Sequence, residues 1–136
     1  MPNRKILLLC TSQLLVAGLA TAPGFAADVN GVWATDASLC SKIFKKQGTS
    51  ISFQDDSDIY GSGFIIETNR LQGKSARCTI KSRRNDGATI HMLASCATDI
   101  MLSNVQFSVT VVTDDTIKRV FPEMPDIEQN FHRCSL

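Results

Sequence analysis

The chain is poor in reactive groups. Its 136 residues include two histidines, His91 and His132, one tryptophan and one tyrosine. There is no phosphate-binding glycine loop and no dinucleotide fingerprint, so nucleotide chemistry has no motif to rest on. Ser62 sits in Gly61-Ser62-Gly63, but Tyr60 and Phe64 stand where a nucleophile elbow needs its glycines. No two cysteines have the Cys-x-x-Cys spacing of a zinc site. Two histidines without a shared motif read as surface or packing residues. After residue 26 no apolar run approaches the about 20 residues that span a bilayer. These gaps lead us to expect no catalytic residue, no metal and no cofactor.

The first charges are Arg4 and Lys5, and the next is Asp28. Between them runs an apolar stretch ending in Leu14-Leu15-Val16-Ala17-Gly18-Leu19-Ala20, then Pro23-Gly24 and the small Ala26 and Ala27. This is the order of a cleavable secretory signal. The best cut falls after Ala26, with Gly24 three residues back; a cut after Ala27 would put bulky Phe25 there. Thr11-Ser12-Gln13 and Pro23 interrupt the stretch, which argues against a retained anchor. Cys10 follows Leu9, which is not the small residue that lipidation needs. Residues 1–26 are thus expected to be a signal peptide, and 27–136 a single domain exported to the periplasm or beyond.

Removing Arg4 and Lys5 from the 14 basic residues leaves 12 against 13 acidic, a net charge of −1. Nucleic-acid and membrane surfaces favour a basic excess, so neither is an expected partner. The mature chain keeps Cys40, Cys78, Cys96 and Cys134, an even set that reads as two disulfides in an exported protein.

Asn30–Thr35 reads as a short opening strand. Asp36 can cap a helix, with Leu39 and Ile43, and Cys40 and Phe44, on one stripe, Lys42, Lys45 and Lys46 towards its end, and Gly48 as its stop. About ten helical residues are expected. From there the period is two. Ile51 and Phe53 alternate with polar residues, Asp55–Asp58 turns the chain, and 59–68 reads as a strand bent at Gly61 and Gly63. Ala76, Cys78 and Ile80 form a strand, Asn85-Asp86-Gly87 is a hairpin signal, and Ile90, Met92, Ala94 and Cys96 return. Val105, Phe107, Val109 and Val111 make another strand, 117–121 follows, and Asn130–Cys134 is the last. Cys78 and Cys96 are equidistant from Gly87, which sets them on one face within about two positions of each other. Cys40 then pairs with Cys134.

Two surface clusters are candidates for binding. Asp55, Asp56 and Asp58 could attract calcium, but they lack the glycine and bidentate glutamate of a calcium loop, so a solvated turn is expected. Arg77, Lys81, Arg83 and Arg84 read as a basic stripe on the outer face of one strand, without the aromatics that stack bases.

Gly31-Val32-Trp33 carries two resemblances. The lipocalins open with Gly-x-Trp, whose indole closes the barrel base against an arginine of the last strand; by that resemblance Trp33 would pack on Arg133. The bacterial periplasmic metalloprotease inhibitors, small disulfide-bearing barrels, also begin near a Gly-x-Trp with a cysteine soon after, as Trp33 and Cys40 do here. Their inhibitory arm precedes the motif, where only Ala27 to Asn30 remain after the expected cut. The run Gly31 to Cys40, the Tyr60 to Phe64 segment and Arg133-Cys134 together resemble small exported proteins of α-proteobacteria, which implies a periplasmic address and says nothing about activity.

The expected fold is therefore all-β: a small antiparallel barrel or barrel-like sandwich of seven to nine strands, with one short N-terminal helix and two disulfides. The expected function is a monomeric, non-enzymatic binding or inhibitor module for a protein or a small apolar ligand. A structural or envelope-stress interaction protein, or a small hydrolase, are the other readings.

Overall fold

A computed structural model describes residues 27–136. The expected signal peptide and its cut lie outside them. Eight strands close an antiparallel barrel in the order β1 (Gly31–Ala34), β10 (Glu128–Arg133), β9 (Thr116–Val120), β8 (Leu102–Thr113), β7 (Thr89–Ala97), β6 (Arg77–Asp86), β5 (Arg70–Gln72) and β4 (Gly63–Ile66). A separate hairpin of β2 (Phe44–Gln47) and β3 (Ser50–Phe53) completes the all-β fold, with one short helix, α1 (Cys40–Ile43). None of the described helices is long and apolar enough to cross a membrane.

Alternation decides what enters the barrel. Trp33, Phe64, Ile66, Leu71, Ile90, Met92, Phe107, Val109, Ile117 and Phe131 share one buried cluster. Phe64 anchors it, with its ring centroid 5.0 Å from Phe107 in an edge-on arrangement and 4.6 Å from Phe131. β1 and β4 are buried on both faces. Their outward Val32, Ala34 and Ile65 meet Cys40, Ile43 and Phe44 in a second cluster.

That second cluster explains why the expected ten-residue helix is not formed. Asp36 does cap a turn: its carboxylate accepts from the Ser38 N–H at 2.8 Å and the Ser38 hydroxyl at 2.7 Å, and both bonds hold its pKa below the ordinary carboxylate value. The helical part ends at Ile43, and Phe44 is extended. Phe44 and Phe53 are register partners with ring centroids 4.9 Å apart, and Gly48 lies in the β2–β3 turn instead of ending a helix. The four-residue spacing suits a helix locally, but pairing with β3 buries Phe44 better. The expected strand over 59–68 also begins late. Residues Ser57–Tyr60 form a 3₁₀ turn that exposes Ile59, and β1 offers β4 only the four residues Gly31 to Ala34 to pair with.

Gly63 sits where the two clusters meet, with no room for a side chain. A Cβ there would sit 2.5 Å from the Trp33 carbonyl oxygen and 2.7 Å from the Phe44 ring. Gly63→Ala is expected to destabilise the domain by about 1–3 kcal/mol through overpacking; an unchanged melting temperature would show that the outer hairpin yields freely.

The disulfides join Cys40 to Cys134 and Cys78 to Cys96, and their presence marks an oxidising, extracytoplasmic environment. The second depends on a defect in the ladder. Asp86 pairs with Thr89 around the two-residue turn Gly87-Ala88, whose first residue has φ +59°. Continued evenly, that register would oppose Cys78 to Ala97 and turn the two sulfurs to opposite faces. Lys81 is instead left unpaired as a bulge between Ile80 and Ser82, and Cys78 faces Cys96 directly.

Candidate functional site

The barrel has a turn end, carrying the β6–β7 and β8–β9 turns, and a loop end, carrying the β7–β8 and β9–β10 connections. Trp33 and Arg133 close the turn end as register partners on β1 and β10. The guanidinium carbon lies 4.3 Å from the indole centre, and its nitrogens donate to the carbonyls of Asn30, Asp28 and Asp114 at 2.7–3.1 Å. The indole N–H donates to the Val29 carbonyl at 3.0 Å. A hollow of about 250 Å³ beside Trp33, bordered by Val29, Val111 and Ile117, is smaller than ordinary small-molecule pockets of roughly 300–1,000 Å³.

On the barrel's outer wall a serine, a histidine and an aspartate fall in line. His91 Nδ1 is 2.7 Å from Ser108 Oγ, and His91 Nε2 is 3.8 Å from a carboxylate oxygen of Asp86. The order resembles an activated nucleophile, but the surroundings do not permit one. Ser108 has no exposed surface, so no substrate carbon can approach its oxygen. Asp86 is mostly exposed and beyond hydrogen-bond reach. His91 and Ser108 are register partners of β7 and β8, and their bond satisfies a buried hydroxyl. Ser57 offers a second buried hydroxyl, without a partner among the described residues, but the nearby Lys74 ammonium is committed to the Gln54 and Asp55 carbonyls.

The loop end carries the longest consecutive run of exposed large apolar residues among the described residues. Ile100, Met101 and Leu102 are consecutive and 92%, 57% and 83% exposed, and Met124 and Ile127 on the β9–β10 connection are half exposed. Between β8 and the start of the β9–β10 connection lies a hollow of about 250 Å³ bordered by Gln106, Arg119, Phe121, Pro122, Glu123 and Met124. Arg119 opposes Val109, so it points to the interior side of β9 with Ile117. Its guanidinium carbon lies 4.5 Å from the Phe107 ring centre and 4.6 Å from that of Phe121. Burial lowers its pKa from the ordinary value, and no ion pair or hydrogen bond to it is found among the described residues. The rings attract the cation, while its N–H donors keep contact with solvent and have no protein acceptor among the described residues.

The other sequence candidates are scattered. Asp55 stands 3.8 Å from Lys45, and no group of three metal-ligating side chains converges among the described residues. The basic stripe is not on one face. The Lys81 bulge reverses the alternation, so Arg83 opposes the interior residue Met92 and donates to the Asn30 side chain and the Glu67 carbonyl, while Arg77 and Arg84 face outward. Sequence reasoning overlooked Arg119. Its signal was present, since Ile117, Arg119 and Phe121 share one alternation and put a cation on an apolar face. No family model, no curated protein and no solved structure matches the chain.

Proposed function

We propose that the mature domain is a non-enzymatic binding module of the periplasm or the cell exterior that engages a protein partner with the loop end of its barrel. The carrying observation is the run Ile100-Met101-Leu102, three apolar side chains exposed in succession at the mouth of the barrel. Exposed apolar groups gathered in one place mark interaction surfaces, because water is expelled from them on binding. The burial of Ser108 and the small volume beside Trp33 support a surface role over hydrolysis at Ser108 or a ligand held beside the indole.

The test is crosslinking capture from periplasmic extract with the wild-type domain and with an Ile100→Asp, Leu102→Asp variant of unchanged melting temperature. A partner recovered by the wild type and lost from the variant is the expected result. Identical recoveries, self-association that the variant dissolves, or an ester hydrolysis abolished by Ser108→Ala would each overturn the reading.

A further inference from the structure

β8 is the longest strand, and β9 covers only part of it. The last pair between them is Ser108 with Val120, yet β7 continues to pair with β8 as far as Leu102. The Val111 N–H bonds to the Ala88 carbonyl on the β7 side. Alternation then turns the backbone N–H and C=O groups of Leu102, Asn104 and Gln106 the other way. There the chain has left the sheet at Pro122, which has no N–H to offer. All three residues are exposed, and no backbone bond reaches them from that side among the described residues. The result is an open edge about 14 Å long. Such an edge is a template for another strand unless something blunts it, and none of the three side chains is charged.

At the Gln106 end of this edge lies the hollow that holds Arg119. The juxtaposition is specific. An open sheet edge is satisfied by the amides of an extended chain, an unpaired guanidinium by a carboxylate, and an apolar hollow by a hydrophobic side chain. A single ligand supplies all three if the chain ends there.

We propose that the loop end captures the free carboxyl terminus of an extended apolar peptide, laid parallel to β8 along Leu102, Asn104 and Gln106, with its terminal carboxylate on Arg119 and its last side chain against Phe121 and Met124. The direction follows from the geometry, because only a strand parallel to β8 brings its C-terminus to the Arg119 end. Glu123 borders the hollow from an exposed position and forms no ion pair with Arg119. The inference rests on the loop-end reading given above and names the chemistry of the partner.

The probe is a fluorescein-labelled pool of pentapeptides drawn from Val, Ile, Leu, Phe and Thr, prepared with free carboxylates or as amides, with binding to the intact disulfide-bonded domain followed by anisotropy. The free-acid pool is expected to bind at least tenfold more tightly than the amide pool. Arg119→Gln should erase that difference. Asn104→Pro removes one outward N–H from the open edge and the exposed Ser95 hydroxyl bond to the Asn104 side chain, leaves the backbone pairing with β7 in place, and should weaken the free-acid pool about tenfold while circular dichroism shows the fold retained. Equal affinity of acid and amide pools, retention of neither, or insensitivity to Asn104→Pro would overturn the proposal. Decanoate binding that ignores Asn104→Pro but needs Arg119 would replace it with a fatty-acid site. If the crosslinked partner still depends on Ile100 and Leu102 while the peptide pools fail, only the terminal-carboxylate mode falls; if the partner no longer depends on them, the loop-end reading itself falls.

Discussion

Replacing Cys40 and Cys134 together by alanine is expected to lower the stability of the domain by about 4–5 kcal/mol. The bond spans 94 residues of sequence, and in the chain-entropy model a loop of that size removes about that much freedom from the unfolded chain. It also holds α1 against the segment after β10, with Cys40 buried in the outer cluster. Replacing Cys78 and Cys96 should cost about 3 kcal/mol for an 18-residue separation, plus a cavity term, because both sulfurs sit inside the barrel. Domains of this size have roughly 5–15 kcal/mol in total, so full reduction removes a large share. Urea unfolding of the oxidised, reduced and doubly substituted proteins measures each contribution. A midpoint insensitive to reduction would show that the barrel core carries the fold by itself.

The second large effect is at Trp33. Its side chain has no exposed surface, its N–H is bonded to Val29, and Arg133 stacks on its face. Trp33→Ala should therefore cost about 3–5 kcal/mol from the lost burial and the cavity. The guanidinium of Arg133 would also lose its aromatic partner, worth about 0.5–2 kcal/mol. Since Trp33 is the only tryptophan, unfolding of the wild type should shift its emission to longer wavelength and report the same transition, while the variant is followed by circular dichroism. A cost below about 1 kcal/mol would mean that the indole is peripheral to the core.

Much of the barrel was legible because strand alternation is a local signal. Ile90, Met92, Ala94 and Cys96 face inward as their spacing requires. The position of Cys78 opposite Cys96 followed from their symmetry about Gly87, although the route differs: an even turn and a single bulge together reproduce what an odd turn alone would give. The helix was misjudged because Phe44 lies four residues from Cys40, a spacing that says nothing about Phe53, its partner across the outer hairpin. The line of Asp86, His91 and Ser108 was hidden for a related reason. It exists only once β6, β7 and β8 are in register. The open edge of β8 could not be seen either, since it depends on where β9 stops pairing, and no residue in β8 announces that.

The unpaired Lys81 gives the inner crosslink a use beyond holding two strands. A hairpin that zipped without this slack would carry its two thiols on opposite walls, one towards the interior and one towards solvent, and oxidation could not join them. The bond thus closes only on a correctly aligned hairpin, and an oxidising compartment that seals it is in effect inspecting the alignment before making it permanent.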